Sequence, residues 1–168
     1  GIKGEGGNAL AVRVDVSDPD SAKEMAAATL AEFGGIDYLV NNAAIFGGMK
    51  LDFLITVDWD YYKKFMSVNM DGALVCTRAV YRKMAKRGGG AIVNVASVLA
   101  WLPVGASYGV SKAAMWNATD SMRLELAPLV FAAASPFSRA NFSRVARLSL
   151  PCSMLAPRVT VGSAPGCA

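Results

Sequence analysis

Short apolar runs alternate with helical patterns along the first 128 residues of the chain. Three runs are typical of buried strands, at 9–14, 36–40 and 91–97. Apolar positions recur at helical spacing in three other segments, at 19–33, 58–87 and 107–127. This alternation predicts an α/β fold, with a doubly wound parallel sheet in a three-layer αβα arrangement, followed by an irregular C-terminal tail.

Polar residues lie at the carboxyl end of each predicted strand. Asp15 comes after the first strand, Asn42 after the second, and Ser97 closes the third. The carboxyl ends of parallel strands meet at one edge of a sheet, and open α/β sheets bind ligands beyond that edge. We therefore expect these three side chains to converge on a ligand-binding edge.

Tyr108 and Lys112 lie four residues apart in the last predicted helix, so their side chains should share one helical face. An ammonium beside a phenol favours the phenolate and lowers the pKa of the phenol below its usual value of about 10. Such a phenol suits acid–base chemistry on an alcohol or a carbonyl. A Tyr-x-x-x-Lys spacing is expected about 0.24 times by chance in a chain of this composition. The pair is therefore significant mainly because polar residues at the predicted strand ends accompany it.

The composition excludes several kinds of site. The chain has no histidine, which rules out Ser-His-Asp and Cys-His nucleophiles and histidine-ligated zinc. Its three cysteines lack a C-x-x-C spacing, so neither a zinc knuckle nor a disulfide framework is indicated, and no metal site is expected. This cysteine usage predicts a reducing, cytoplasmic setting.

The net charge of +4 is confined to the end of the chain. The first 128 residues hold 13 basic and 13 acidic residues, which balance, and the excess is four later arginines. Because no nucleic-acid-binding motif accompanies them, we expect no nucleic-acid partner. No apolar run approaches the length of a membrane span, so we expect no membrane association.

The residues at the strand ends and in the helices resemble, in order and spacing, the short-chain dehydrogenase/reductase family. The resemblance covers about residues 8–128 and is carried by Asp15-Val16, Asn41-Asn42-Ala43-Ala44, Asn69, Ser97 and Tyr108-x-x-x-Lys112. It implies a Rossmann-like domain over 1–128. It also implies hydride transfer between a nicotinamide cofactor, NAD or NADP, and a secondary alcohol or ketone.

The resemblance assigns a role to each of four catalytic residues. Tyr108 would exchange a proton with the substrate oxygen, and Lys112 would lower the pKa of Tyr108 and bond the nicotinamide ribose. Ser97 would hold the substrate oxygen. Asn69 would interrupt the long helix and hold a water that passes protons to Lys112; a packing asparagine with a satisfied amide is the open alternative.

The resemblance also implies a cofactor-binding set. Asp15 and Val16 would meet the adenine, and Asn42 with Ala43 would line the adenosine-ribose side. The complete expected set is Asp15, Val16, Asn42, Ala43, Tyr108 and Lys112.

The chain departs from the family pattern before its first strand and in one loop. The glycine-rich turn that sets a pyrophosphate on a helix N-terminus has no counterpart before residues 9–14, so binding of NAD or NADP is expected to be weak. Ser97 and Tyr108 are 11 residues apart, fewer than is usual in the family.

Residues 129–168 have an unusual composition. They contain no Asp, Glu or Lys, but four prolines and two of the three cysteines. We predict an atypical basic tail, either frame-shifted or disordered, and expect the family's C-terminal strands to be absent.

These observations predict an oxidoreductase of the short-chain type, present as an inactive fragment. Ile45, Phe46, Trp101 and Leu102 favour a small apolar alcohol or ketone as substrate. The alternative is a non-catalytic fragment or a self-association module. In either case, we expect a homo-oligomer formed through helices 58–87 and 107–127.

Overall fold

A parallel sheet forms the centre of the structure. A computed structural model describes residues 2–46 and 52–127, together with the backbone of 131–134. Within these ranges the sheet has three strands in the order β1-β2-β3, namely β1 (Tyr38–Asn41), β2 (Gly90–Asn94) and β3 (Phe131–Ala134). Both pairings are parallel, with Leu39 opposite Ile92 and Asn41 opposite Asn94.

The helices connect these strands. They are α1 (Pro19–Phe33), α2 (Trp59–Met66), a π-helical segment (Ser67–Asp71), α3 (Gly72–Ala85) and α4 (Ala106–Leu126), with short 3-10 helices at Ile2–Glu5 and Val98–Ala100. Helix α1 has the predicted bounds, because Asp18 accepts a bond from the Asp20 amide at its start and Gly34 ends it at a φ of 71°.

The described helices pack on one face of the sheet. The connections β1–β2 and β2–β3 run in the same direction across the sheet, and right-handed crossovers then place both sets of helices on the same side. Leu39 and Ile92 are buried there in one cluster with Val80 and Met84 of α3. Each fully buried side chain of this kind contributes about 1.5–3 kcal/mol.

The other face of the sheet is partly open within the described ranges. Tyr38 is 41% exposed and Val40 is 46% exposed, whereas Leu39 between them is buried. This alternation follows from the two-residue period of a strand. The second helical layer of the expected three-layer arrangement is not among the described residues.

The prediction of a strand at 9–14 is wrong. These residues form no regular secondary structure, although Val12 and Val14 pack against the same core as α1 and α3. A strand requires a neighbour to satisfy its backbone groups, and no described strand lies beside this segment to provide one. The apolar pattern of residues 9–14 therefore indicates buried side chains, and it does not indicate backbone pairing with another strand.

The expectation that no further strand follows residue 128 is also wrong. The backbone of β3 pairs with β2, with Gly90 opposite Phe131 and Val93 opposite Ala134. A run of three alanines carries little strand propensity, so the pairing imposed by β2 decides the conformation. The predicted basic tail beyond residue 134 lies outside the described residues.

A chain of buried side-chain amides and hydroxyls joins the sheet to α4. Asn41 Nδ2 donates to Asn94 Oδ1 at 2.7 Å, and Asn94 Nδ2 donates to Thr119 Oγ1 at 2.9 Å. Thr119 in turn donates to the Met115 carbonyl at 2.7 Å. Asn94 and Thr119 are fully buried, and these bonds give their polar groups the partners that burial requires.

No helix in the described ranges is both long and apolar enough to cross a membrane.

Candidate active site

The carboxyl ends of β1 and β2 form the edge at which the candidate residues gather. Asn41 and Asn94 are register partners at the ends of these two strands. Beyond β2, the Val95 amide still donates to the Asn41 carbonyl at 3.0 Å. The segments that end β1 and follow β2 are therefore still bonded to each other where they leave the sheet. Helix α4 then begins near this edge.

Tyr108 and Lys112 lie one turn apart in α4, as their spacing predicts. Tyr108 is 9% exposed and Lys112 is 3% exposed. The Lys112 Nζ atom lies 5.8 Å from the centroid of the Tyr108 ring and donates to the Val95 carbonyl at 2.9 Å. Burial lowers the pKa of Lys112, because desolvation disfavours the ammonium.

Asn69 lies in the π-helical segment that separates α2 from α3. The long helix predicted over 58–87 is thus interrupted at this residue, as the family resemblance implies. Asn69 Oδ1 accepts from the Ile45 amide at 2.7 Å, and its Nδ2 donates to the Ile45 carbonyl and to Ser111 Oγ, each at 3.3 Å. Asn69 therefore joins the chain after β1 to the turn of α4 between Tyr108 and Lys112.

Ser97 lies three residues beyond the end of β2 and caps the short helix at Val98–Ala100. Its Oγ accepts from the Leu99 amide at 3.2 Å. The hydroxyl proton remains available to a ligand oxygen in this arrangement, because Oγ acts only as acceptor in that bond. Ser97 is tied to the rest of the site through Val95, whose carbonyl accepts from Lys112.

Asp15 and Val16 do not follow a strand, because 9–14 forms none. Asp15 Oδ1 accepts from the Ser17 amide at 2.9 Å and from the Ser17 hydroxyl at 2.6 Å, and these bonds lower the pKa of Asp15. Val16 packs on Gly72, where an added Cβ would lie 2.8 Å from Val16 Cγ2. The segment therefore lies beside the start of α3, directly after the π-helical segment.

Asn42 and Ala43 follow β1 at the carboxyl edge of the sheet. Asn42 is exposed and Ala43 is half-buried. Asn41, immediately before them, turns its amide inward to Asn94 and to the Ala73 carbonyl. The Asn41 side chain is thus bonded within the protein, whereas the Asn42 side chain is exposed and open to a ligand.

Apolar side chains lie against Tyr108 and along the loop that precedes α4. The Phe46 ring lies 5.5 Å from the Tyr108 ring, centroid to centroid. Trp101, in the loop between Ser97 and α4, meets Trp116 of α4 edge-on at 5.7 Å. Other apolar side chains on this loop are exposed, namely Val98, Leu102 and Val104.

Within the described residues, no group of three or more Cys, Asp or Glu side chains is placed to hold a metal ion.

The arrangement of an α/β sheet with Tyr108 and Lys112 at its carboxyl edge agrees with a comparison to known families. A family model described as short chain dehydrogenase matches residues 1–136 of the chain. The chain belongs to the short-chain dehydrogenase family.

Several members of the short-chain dehydrogenase family are similar to the chain. An uncharacterized oxidoreductase of Mycobacterium tuberculosis is 64% identical over 118 residues, covering 70% of this chain and 47% of that protein. The 2-(R)-hydroxypropyl-CoM dehydrogenase of Xanthobacter autotrophicus is 40% identical over 120 residues, or 70% of this chain and 48% of the relative. A 3-oxoacyl-(acyl-carrier-protein) reductase of Synechocystis is 34% identical, over 75% of this chain and 51% of the relative. The chain thus spans about half the length of these curated relatives.

Solved structures of short-chain dehydrogenases share the fold. A short-chain type dehydrogenase/reductase from Mycobacterium marinum superposes with a TM-score of 0.74 at 31% identity, over 79% of this chain and 55% of that one. A short-chain alcohol dehydrogenase from Sinorhizobium meliloti gives a TM-score of 0.73 at 30% identity, over 79% and 52%. The predicted Rossmann-like α/β fold is confirmed.

The sequence does not indicate the contact between Asp52 and Ser107, which holds the helical turn that carries Tyr108. Asp52 accepts bonds from the amide and the hydroxyl of Ser107. The two residues are 55 positions apart, and neither lies on a periodic pattern or in a short-chain dehydrogenase motif, so the sequence carries no signal that joins them.

Proposed function

We propose that the chain carries the acid–base part of a short-chain dehydrogenase site that interconverts a secondary alcohol and a ketone. The observation that supports this most directly is the buried pair of Tyr108 and Lys112, one helical turn apart at the carboxyl edge of a parallel sheet. Buried phenol and ammonium groups placed together are typical of sites that move protons.

In this proposal Tyr108 exchanges a proton with the substrate oxygen. Lys112 stabilises the phenolate electrostatically, and its lowered pKa suits it to pass a proton onward. Ser97 offers its hydroxyl proton to the same substrate oxygen. Asn69 fixes the backbone on both sides of the site through Ile45 and Ser111.

The proposed cofactor is NAD or NADP, which would supply or accept the hydride. Its expected contacts are Tyr108, Lys112, Asn42 and Ala43 at the sheet edge, with Asp15 and Val16 at the adenine. The donor chemistry fits ribose hydroxyls, because an ammonium carries three protons and Lys112 gives one of them to the Val95 carbonyl. Without a glycine-rich turn for the pyrophosphate, we propose that this chain binds the cofactor weakly.

The proposed substrate is a small apolar alcohol or ketone. Phe46 on the Tyr108 ring and the exposed apolar side chains of the loop after Ser97 favour an apolar ligand. The names of two relatives, a hydroxypropyl dehydrogenase and an oxoacyl reductase, are consistent with interconversion of a hydroxyl and a carbonyl.

Tyr108→Phe tests the proposal because it removes only the phenolic oxygen. We expect the turnover of secondary alcohols at high NAD or NADP concentration to fall at least about 100-fold. Tyr38→Phe is the matched control, since Tyr38 lies on the opposite face of the sheet and loses the same oxygen. A wild-type rate no higher than that of Tyr108→Phe would refute the proposal.

Self-association is the second candidate function. It is favoured by a run of exposed apolar side chains at the start of α2 and before it, namely Phe53, Leu54, Ile55 and Trp59. Sedimentation velocity on Tyr108→Phe separates the two candidates. Catalysis depends on the phenol, whereas assembly through the helices should be unchanged by its loss.

A further inference from the structure

The backbone that leads into α4 is strained. Gly105 has a φ of 86° and Ala106 a φ of 32°, so two successive residues occupy the left-handed region. Glycine adopts that region freely, but Ala106 carries a Cβ and does so at a cost. A conformation of this kind persists only where its surroundings hold it in place.

Helix α4 also lacks the usual cap from the residue at its N-cap position. Gly105 stands at the N-cap position and has no side chain that could accept a bond from the first-turn amides. Tyr108 is in this first turn, immediately after Ser107. The orientation of Tyr108 therefore depends on whatever else fixes the turn.

Asp52 takes the place of the missing cap. Its Oδ2 atom accepts from the Ser107 amide at 3.1 Å and also from the Ser107 hydroxyl. Ser107 is fully buried, so these polar groups have little access to water as an alternative partner. A carboxylate at this position also interacts favourably with the positive end of the helix dipole.

The connection from β1 to α2 is thereby tied to the site at two points. Ile45 is bonded to Asn69, and Asp52 is bonded to Ser107. Phe46, next to Ile45, lies against the Tyr108 ring. The same connection thus contacts the tyrosine ring and caps the turn that carries it.

We propose that Asp52 is a positioning residue for Tyr108, acting through Ser107 at the start of α4. The catalytic consequence rests on the function proposed above, whereas the placement of Tyr108 does not. Loss of the carboxylate leaves two buried Ser107 donors without their acceptor beside a strained Ala106. The turn then relaxes, and the Tyr108 ring moves relative to Phe46.

Asp52→Ala and Asp52→Asn test this in the full chain, with amide hydrogen exchange and ring-to-ring contacts followed by NMR. In Asp52→Ala, exchange at the Ser107 amide should rise at least about fivefold and the Phe46–Tyr108 contacts should weaken. Asp52→Asn keeps an acceptor oxygen in place, so it should recover most of the protection. Any turnover should show a fall in kcat of roughly tenfold in Asp52→Ala, and Asp52→Asn should recover most of it.

Asp58→Ala is the matched control. Asp58 caps α2 in the same way, accepting from the Tyr61 amide at 2.8 Å, but it has no bond to α4. It should lower stability similarly and leave the Ser107 amide and the Phe46–Tyr108 contacts unchanged.

Two results would overturn the proposal. One is unchanged exchange at Ser107 in Asp52→Ala, and the other is an equal effect of Asp58→Ala on the same amide. If Asp52→Ala disturbs the turn while Tyr108→Phe keeps full turnover, the positioning role stands and only the proposed chemistry fails.

Discussion

Lys112 combines a positive charge with an almost completely buried position. Removing an ammonium from water is costly, and the hydrogen bond to the Val95 carbonyl recovers only part of that cost. The lowered pKa of Lys112 is the same cost expressed as a preference for the neutral amine. A buried charged residue that destabilises the fold in this way is typical of a functional site.

Replacing Lys112 by Met should therefore stabilise the chain at neutral pH, by about 1 kcal/mol. The pKa of Lys112 is lower in the folded than in the unfolded chain. The unfolded state thus binds more protons between those two values, and the wild type gains stability as pH rises through that window. The advantage of Lys112→Met should shrink accordingly toward pH values of about 10.5.

Urea denaturation between neutral and alkaline pH measures this difference, with Lys64→Met as a control at an exposed lysine of α2. A stability difference that stays constant with pH would contradict the assignment of a buried charge to Lys112.

At the level of single residues, the sequence predicts what is local. Tyr108 and Lys112 share a face because four residues make about one helical turn, a rule that needs no knowledge of the tertiary structure. The bond between Asp52 and Ser107 depends on how two distant segments are brought together. Nothing in the identity of either residue indicates the other.

At the level of elements, helix ends are predicted more accurately than strand ends. Asp18 and Gly34 stabilise the two ends of α1 through short-range bonds, and Pro19 has the fixed φ that suits the first turn, so the sequence marks that helix closely. The segment at 9–14 has the composition of a strand and lacks the neighbour that a strand requires. Strand β3 is the opposite case. Its composition does not indicate a strand, but β2 provides the neighbour with which it pairs.

Gly90, at the start of β2, should not tolerate a side chain. A Cβ there would overlap the Asp37 carbonyl, and the Met84 Cε atom lies 2.6 Å from the same position. Backbone atoms cannot move aside cheaply, so Gly90→Ala should lower the free energy of unfolding by about 1–3 kcal/mol. Thermal denaturation followed by circular dichroism measures the loss.

Gly4→Ala serves as the comparison for this substitution. No atom lies within 4 Å of a Cβ added at Gly4, so the change should alter stability by less than about 0.5 kcal/mol. Equal losses of stability in Gly90→Ala and Gly4→Ala would show that the close contacts of Gly90 with Asp37 and Met84 do not exclude a side chain there.

At the level of the whole molecule, the direction of the crossovers determines which strand residues form the core. Alternate residues of β1 differ sharply in exposure, because α3 and α4 cover one face of the sheet. The sequence predicts alternating strands and helices and thus the fold class. It does not predict which face of a strand is covered, because β1 is apolar on both faces, with Leu39 on one and Tyr38 and Val40 on the other.

Two neighbouring substitutions test this assignment of faces. Leu39→Ala removes methyl groups from the buried cluster and should cost about 2–5 kcal/mol. Val40→Ala, one residue along the same strand, should cost less than about 1 kcal/mol because Val40 is already half in water. Chemical denaturation of the two variants side by side decides the matter, and a larger loss for Val40→Ala would contradict the packing.

The hydrogen bond between Asn41 and Asn94 also protects the sheet against misalignment during folding. Both strands are otherwise apolar, and several offsets between them would bury similar amounts of hydrocarbon. A shift of β1 by one residue would turn the Asn41 amide to the opposite face and separate it from Asn94, whose own amide is bonded to Thr119. The polar pair therefore penalises wrong alignments that apolar contacts alone would tolerate, and it does so next to the edge where Tyr108 and Lys112 must meet.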